Sequence, residues 1–233
     1  MNHVIEVKNL AVSYGNSPVL KEIDFQASAG EFVVIVGKSG CGKTTFINAL
    51  AGLVPFFGEV KIEQKIGIVF QQNSVFPWLT AAENIGFGLD GYSAQEKTKI
   101  VDNHLALAGM HPEGKKYPAE LSGGQIQRVA LARSLANNSE VLLMDEPFGS
   151  LDEYTRGKMQ EWLLNVWGIT HKTIVFVTHN IEEAIFLADR VLIIGNGGLI
   201  NELTIPFVRP RDNSIRFTEE FNRLRQEIHS SIR

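Results

Sequence analysis

The segment from residue 37 to residue 44, Gly-Lys-Ser-Gly-Cys-Gly-Lys-Thr, constrains the fold of this chain more than any other. It fits the pattern of a glycine, four residues, a second glycine, a lysine and a serine or threonine, which cradles phosphates where a helix begins. The apolar run Phe32 to Val36 precedes it, and the helical pattern Thr44 to Leu50 follows it. This strand context disfavours the alternative, a glycine-rich turn that only caps a helix. The segment therefore predicts a phosphate site in an α/β fold.

The residue types in this loop are those that phosphate binding needs. Its glycines let the backbone fold around an anion, so that successive N–H groups point at it. Lys43 adds a positive charge, and the hydroxyl of Thr44 is a ligand for Mg²⁺. The candidate nucleotide-binding residues here are Gly37, Lys38, Ser39, Gly40, Cys41, Gly42, Lys43, Thr44 and Thr45. Kinases, GTPases and ATPases share such a loop, so it indicates a nucleotide but not yet a reaction.

Further short apolar runs predict a parallel sheet that is covered on both faces. They are Ile66–Phe70, Val141–Met144, Thr173–Val177 and Val191–Ile194, with helical patterns between several of them. Extended segments before residue 28 predict an antiparallel flap, and residues 77–133 predict an inserted helical subdomain. The core would comprise residues 1–76 and 134–208 of a single domain spanning 1–233, with one or two surface helices at 209–233.

Composition narrows the possible partners and compartment. The chain has 233 residues, of which 44% are hydrophobic and 21% are charged, an ordinary globular composition. Its net charge of −4 offers no overall basic footprint for nucleic acid. The single cysteine excludes an internal disulfide and favours a reducing compartment. No signal-peptide pattern is present, and no apolar run approaches the roughly 20 residues of a membrane span.

Two acidic residues, Asp145 and Glu146, end the predicted strand Val141 to Met144. Ligands of open parallel sheets bind at the carboxyl ends of the strands, where these carboxylates would lie. Asp145 suits a Mg²⁺ ligand, and Glu146 suits a general base that activates water. The alternative is a strand that ends in ordinary solvent-exposed acids.

A second glycine-rich segment, Leu121-Ser-Gly-Gly-Gln125, precedes a helical pattern. Ser122 and Gln125 have the spacing of a capping box, which is an ordinary helix start. A capping box does not explain Gly123 and Gly124, since each glycine costs about 1 kcal/mol relative to alanine within a helix. We therefore expect a close approach to this backbone, most naturally by a phosphate at the helix N-terminus.

The chain resembles the ATP-binding subunits of ABC transporters over nearly its whole length, because six motifs follow the order of that family. They are the Walker A loop at 37–44, the Q-loop Gln71, the signature at 121–125, the Walker B acids Asp145 and Glu146, the D-loop at 150–152 and the switch His179. The resemblance implies an ATPase with a P-loop NTPase core, an N-terminal antiparallel β subdomain and an inserted α-helical subdomain. It also implies ATP and Mg²⁺ as ligands.

The resemblance also assigns roles to single residues. Tyr14 would stack on adenine, and Gln71 would join Thr44 and Asp145 around Mg²⁺ and sense the attacking water. His179 would hold the γ-phosphate, which makes His179, Gln71 and Glu146 the catalytic set. Taken alone, Tyr14 is equally a surface aromatic, and His179 an ordinary histidine at a strand end. Gln72 is chemically as suitable as Gln71, and only the family pattern favours its neighbour.

In this family the signature of one subunit covers the ATP that the other subunit holds. The resemblance therefore implies a head-to-tail homodimer with two ATP molecules at its interface. Ser122, Gly123, Gly124 and Gln125 would contact the γ-phosphate bound by the partner. Asp152, in the D-loop, could equally be the N-cap of a helix that begins at Glu153.

The run Pro77-Trp-Leu-Thr80 is similar to importers of the nitrate, sulfonate and taurine group. In the family this segment faces the coupling helix of a membrane permease, which implies separate permease subunits, a solute-binding protein and a place at the cytoplasmic face of the membrane. Phe76, Trp78 and Phe87 would contact the permease or, alternatively, only pack the helical subdomain.

Two other classes of protein compete with a transporter subunit. A soluble ABC-type ATPase acting on nucleic acid or ribosomes would need a basic surface or a tandem arrangement, and the sequence offers neither. A small-molecule P-loop kinase would explain the phosphate loop but not the signature or His179.

Overall fold

The computed structural model describes residues 3–71 and 75–232, and it contains two sheets flanked by helices. The strands are β1 (His3–Tyr14), β2 (Ser17–Ser28), β3 (Phe32–Val36), β4 (Phe57–Lys61), β5 (Ile66–Val69), β6 (Val141–Asp145), β7 (Thr173–Val177), β8 (Arg190–Gly195) and β9 (Gly198–Thr204). The α-helices are α1 (Lys43–Leu50), α2 (Ala81–Ile85), α3 (Ala94–Ala108), α4 (Gly123–Ala136), α5 (Glu153–Thr170), α6 (Ile181–Leu187) and α7 (Glu219–Ile232). Short 3₁₀ helices occupy His111–Glu113, Pro118–Glu120 and Asn213–Phe217.

The larger sheet has the strand order β5-β6-β7-β3-β8-β9. Every pair from β5 to β8 is parallel, as the alternation of strands and helices predicts, and only β9 is antiparallel. The parallel order brings the carboxyl ends of β3, β6 and β7 side by side. The phosphate loop follows β3, Asp145 and Glu146 lie at the end of β6, and the switch histidine follows shortly after β7, so the topology itself gathers the candidate site.

The smaller sheet, with order β2-β1-β4, is the antiparallel flap. The sequence predicts β1 and β2 but not β4, which pairs with the other edge of β1. Neither β4 nor β9 contains a continuous apolar run, because most of their residues are exposed or half-buried. Hydrophobic periodicity is a weak signal for such edge strands.

Apolar side chains fill both sides of the larger sheet. Alternate residues of β3 illustrate the division: Val33 and Ile35 face one cluster, which also contains α1 and the flap, while Val34 and Val36 face the other, which contains α5 and α6. Both faces are covered, which is why all five residues of β3 are buried.

Helices α2, α3 and α4 enclose a smaller apolar cluster of their own, centred on Ile85, Leu105 and Val129. No strand occurs in the described residues between 77 and 133, in agreement with the expected helical segment. The subdomain boundaries at 76/77 and 133/134 stay predictions.

The C-terminal residues contain one 3₁₀ helix and α7, where one or two surface helices are expected. The helix is amphipathic rather than purely superficial, since Phe221, Leu224 and Ile228 are buried in the main core. The guanidinium of Arg211 is also buried, and it donates to the backbone oxygens of Phe186 and Ala188 near the end of α6.

Candidate nucleotide-binding site

The phosphate loop joins β3 to α1 and packs closely against its neighbours. A Cβ at Gly37 would overlap the backbone oxygen of Ile194, and Gly42 has a φ of +105°, a conformation that favours glycine. A side chain at Gly42 would also meet Leu20 of β2. These two glycines therefore allow the loop to curl tightly between β8 and the flap.

Lys43 is the charged centre of this loop. Its side-chain ammonium donates to the backbone oxygens of Gly37 at 2.9 Å and Lys38 at 3.0 Å, and the residue is only 6% exposed. The loop thus wraps around its own lysine. A positive charge held at the start of α1, where the N–H groups of the first helical turn point outward, favours an anion at this position.

Thr44 connects the loop to the end of β6. Its hydroxyl donates to Oδ1 of Asp145 at 3.1 Å. Burial raises the pKa of the Asp145 carboxyl, and the negative charge of Glu146 also raises it. The hydrogen bond from Thr44 and the positive charge of Lys43 act in the opposite direction. A nearly buried carboxylate beside a hydroxyl is an incomplete ligand set that suits a hard cation.

Glu146 and His179 meet across the ends of β6 and β7. Oε2 of Glu146 lies 2.9 Å from Nδ1 of His179. The backbone N–H of Glu146 continues the ladder by donating to Val177, and its φ of +44° is uncommon for a glutamate. The backbone at Glu146 therefore adopts an unusual conformation at the point where its carboxylate faces the switch histidine.

Gln71 follows β5 at the neighbouring sheet edge. A Cβ at Gly149 would meet Nε2 of Gln71, so the glutamine amide packs against the turn that follows Glu146. The amide nitrogen of Gln127 on α4 lies 3.5 Å from the backbone oxygen of Gln71, which joins this loop to the helical segment. Gln72, the alternative Q-loop glutamine, lies outside the described residues.

Tyr14 ends β1, and about half of its surface is exposed. The hairpin then returns through β2, whose Val19 and Leu20 pack beside Gly42. Tyr14 therefore lies on the hairpin whose second strand borders the phosphate loop, and it is accessible to a flat ligand.

The signature residues lie at the start of α4. Ser122 Oγ accepts from the backbone of Gln125, and the Gln125 side chain accepts from the backbone N–H of Ser122, which completes the expected capping box. A Cβ at Gly123 or Gly124 would press against Leu151 or Thr155. The close approach expected at these glycines thus already exists within the chain, and contact with a phosphate stays a prediction.

Asp152 is the N-cap of α5, as one of the two interpretations of the sequence requires. Its Oδ1 accepts from the backbone N–H of Thr155 at 3.0 Å. The hydrogen bonds from Thr155 lower the pKa of this carboxyl.

Sequence reasoning missed two buried polar residues, Asn84 and Glu183, which contact loops of the structure from the interior. Asn84 is fully buried, and its amide holds the loop that carries Phe76 through bonds to the Phe76 backbone at 2.7 and 3.1 Å. Glu183 is a buried acid in the first turn of α6, the helix that follows β7. A polar residue within an apolar helical pattern was the available signal for both, but it does not reveal their partners.

Comparison with known proteins decides the family. The protein-family model described as ABC transporter matches residues 20–149. An ATP-binding protein of Brucella abortus is 38% identical over 245 residues, which cover 100% of this chain and 94% of that protein. The chain belongs to the ABC transporter family. The taurine import ATP-binding protein TauB of Escherichia coli K12 is 36% identical over 247 residues, covering 98% of this ABC chain and 97% of TauB.

Solved structures agree with this ABC assignment. CbiO1 of Clostridium perfringens, described as part of the transporter complex CbiONQ, gives a TM-score of 0.83 at 26% identity and covers 96% of this chain and 94% of its own. The cassette MJ0796, solved as a post-hydrolysis dimer with ADP and phosphate, gives 0.76 at 33% identity and covers 88% of this chain and all of its own. The predicted fold, the ABC family and ATP hydrolysis are confirmed, and a role unconnected with transport is not favoured.

Proposed function

We propose that this ABC ATPase hydrolyses ATP with Glu146 as the general base and thereby drives the import of a small anion through a separate permease. The observation that carries the proposal is the 2.9 Å contact between Glu146 and His179, next to the pair formed by Thr44 and Asp145. This arrangement places a base, its positioning partner and a cation-binding pair at one edge of the sheet.

The phosphate loop would hold the triphosphate. Lys43 already presents its charge at the centre of the loop, and its bonds to two backbone oxygens could be exchanged for stronger, charge-assisted bonds to phosphate. Tyr14 would stack on the adenine, since its exposed ring lies at the tip of the adjacent hairpin.

Thr44, Asp145 and Gln71 would hold Mg²⁺ together with the phosphates. Within residues 3–71 and 75–232, no cluster of three or more His, Cys, Asp or Glu side chains could hold a metal ion. A hydroxyl and one carboxylate nevertheless fit Mg²⁺, which commonly binds through one or two protein oxygens, substrate phosphates and water. When bound, Mg²⁺ neutralises charge on the β- and γ-phosphates.

Glu146 would accept a proton from the attacking water as the water approaches the γ-phosphate. His179 would restrain the glutamate through the observed contact and hold the γ-phosphate with its other ring nitrogen. Gln71, which packs against the turn after Glu146, would orient the water from the opposite loop.

A second copy of the chain would complete each site. The hydroxyl proton of Ser122 is available because the capping box uses its oxygen as an acceptor. The N–H groups of Gly123 and Gly124 lie in the first helical turn, where no intrahelical acceptor exists. These three donors, with Gln125, would bind the γ-phosphate held by the partner, in a head-to-tail dimer. The dimeric MJ0796 cassette supports this arrangement.

The variant Glu146→Gln tests the role of the base. We expect ATP to bind normally and hydrolysis to fall by about 100-fold or more, since a glutamine cannot accept the proton. ATP should then trap a dimer that size-exclusion chromatography detects. Hydrolysis at the wild-type rate would show that Glu146 is not the base.

The partner in the membrane would dock on the aromatic surface formed by Phe76, Trp78 and Phe87. The Phe76 ring lies 4.4 Å from the ring of Phe87 and 5.4 Å from that of Trp78, and Arg133 covers it at 4.9 Å. Trp78 is nevertheless 69% exposed, so the cluster is anchored but uncovered.

None of the helices in the described ranges has the length and hydropathy of a membrane-spanning helix. Association with permease subunits would hold the chain at the membrane surface.

The variant Trp78→Asp tests this surface. We expect permease association to weaken while ATP affinity stays unchanged, which pull-down with the assembled permease would measure.

In the wild-type complex, a solute-binding protein carrying taurine, a sulfonate or nitrate should stimulate ATP hydrolysis. TauB, which is a taurine import protein by name, makes taurine the first solute to test.

A further inference from the structure

The switch histidine lies on a turn that a buried carboxylate fixes from inside the protein. Glu183, in the first turn of α6, is only 4% exposed. Its carboxylate accepts from Nε2 of Gln160 at 2.9 Å, and it lies near the hydroxyl of Thr178, which directly precedes His179. Burial raises the pKa of this carboxyl, and the neighbouring Thr178 hydroxyl and Gln160 amide oppose the shift.

The residue that follows His179 is tied to the same group. Asn180 caps α6 by accepting from the backbone N–H of Glu183 at 3.1 Å. Its own N–H donates to the hydroxyl of Thr178 at 3.0 Å. Both neighbours of His179 are therefore fixed relative to Glu183, while the His179 side chain itself stays exposed beside Glu146.

The C-terminal segment is connected to the Glu183 carboxylate through the side-chain amide of Gln160. Nη2 of Arg216 donates to Oε1 of Gln160 at 2.6 Å, while Nε2 of the same amide donates to Glu183. An amide that accepts from an arginine through its oxygen must present its NH₂ group on the other side. Arg216 thus selects the amide orientation that satisfies Glu183. Its guanidinium also lies 4.2 Å from the centre of the Phe186 ring on α6.

The segment that carries Arg216 is firmly docked. Arg225 on α7 lies 3.0 Å from Glu182, next to Glu183 on α6, and Arg211 holds the opposite end of that helix through backbone oxygens. The buried face of α7 adds apolar contact with the same core. The C-terminal segment therefore contacts α6 at both ends through charged side chains, in addition to its apolar packing.

We propose that Arg216 is a positioning residue for His179, acting through Gln160 and Glu183, so that docking of residues 209–232 sets the rate of ATP hydrolysis. The proposal rests on the proposed role of His179. Without Arg216, the oxygen of the Gln160 amide would lose its donor, and the amide would keep its bond to Glu183 without a restraint on its other side, which would loosen the turn.

The variant Arg216→Met, in the full chain, keeps the length and apolar contact of the side chain but removes the donor. We expect kcat for ATP hydrolysis to fall about fivefold to tenfold with KM for ATP unchanged, because misplacement of a catalytic group affects the reaction more than binding. Arg216→Lys should restore part of kcat, since an ammonium can donate to the same oxygen. Unchanged kcat in Arg216→Met would overturn the proposal.

Arg223→Met is the matched control. Arg223 also lies on the C-terminal segment, but it is exposed and pairs only with Glu220 and Glu227 on α7 among the ion pairs found in the described residues. It should leave kcat unchanged. If Arg216→Met folds poorly by thermal unfolding, Gln160→Met removes the same connection from α5 and should lower kcat to the same extent. An unchanged kcat in a folded Gln160→Met variant would equally overturn the proposal.

Combination with His179→Ala separates this proposal from the function on which it rests. If Arg216 acts through His179, the double variant Arg216→Met/His179→Ala should hydrolyse ATP as slowly as His179→Ala alone. A further fivefold loss would show that Arg216 acts elsewhere and would overturn the proposal. Full activity of His179→Ala would instead show that the role proposed for His179 is wrong.

Discussion

The two halves of the proposed nucleotide site differ in how far one chain completes them. Around the phosphate loop, three strand ends bring the lysine, the threonine, both acids and the switch histidine to one edge of the sheet. Lys43 donates to backbone oxygens of its own loop, Thr44 donates to Asp145, and Glu146 contacts His179. At the signature, the bonds of the Ser122 side chain found within residues 3–71 and 75–232 belong to its own helix start, in the capping box with Gln125. The first half is organised within one chain, whereas the second half presents N–H groups of a first helical turn, which have no acceptor within their own helix.

This difference explains how a single site could also act as a switch. A monomer would bind ATP through the organised half alone. The signature donors would gain their phosphate only when a second chain arrives, so that closure of the dimer would depend on the γ-phosphate and end with its loss. Variants in the two halves should therefore fail in different assays.

The largest effect is expected in the organised half, from Lys43→Ala. Removal of the ammonium would leave the oxygens of Gly37 and Lys38 without their donor and deprive the phosphates of a charged partner. We expect ATP affinity to fall about 100-fold, the equivalent of one strong charge-assisted hydrogen bond. Titration of the monomer with a fluorescent ATP analogue measures this affinity. Lys99→Ala is the control and should bind ATP normally, since Lys99 is exposed on α3, far in the sequence from every motif.

A smaller and different effect is expected at the signature, from Ser122→Asp. Aspartate is as good an N-cap as serine, so α4 should remain intact. Its negative charge would repel the γ-phosphate of the partner, and we expect the ATP-dependent dimer to weaken about 30-fold while monomer ATP affinity stays unchanged. Analytical ultracentrifugation with and without ATP separates these quantities. A loss of monomer affinity equal to that of Lys43→Ala would remove the distinction between the halves.

Sequence predicts the organised half well because its physics is local. Five strands of the larger sheet carry continuous apolar runs, and each functional residue of this half lies at a strand end or in the loop and helix start that follow one. The parallel order then places Thr44 beside Asp145, and Glu146 beside His179, without further information.

Sequence is less informative where partners come from distant elements. The link from Arg216 through Gln160 to Glu183 joins three helical segments, and no residue in it belongs to a recognisable motif. The signature glycines show the same limit, since their spacing indicates a close approach but not that Leu151 and Thr155 make it. Edge strands β4 and β9 are missed because their exposed residues follow no apolar run.

The smallest expected effect concerns stability within the organised half. Burial and the charge of Glu146 raise the pKa of Asp145, so at neutral pH the folded chain holds an ionised carboxylate in a position that disfavours ionisation. Asp145→Asn removes the charge and keeps an acceptor for Thr44. We expect Tm to rise by roughly 2 °C without nucleotide, while Mg²⁺-dependent hydrolysis is lost.

The pH dependence distinguishes this cause from a packing effect. Because the folded pKa of Asp145 lies above its unfolded value, the penalty is absent once the pH falls below the ordinary carboxyl pKa of about 3.9 and develops as the pH rises through both values. The difference in Tm between wild type and Asp145→Asn should therefore shrink as the pH falls toward 4. Asp152→Asn is the opposite case, since hydrogen bonds from Thr155 lower the pKa of that carboxyl, and it should not raise Tm. A pH-independent gain in Asp145→Asn would mean that the charge of Asp145 does not limit the stability of the organised half.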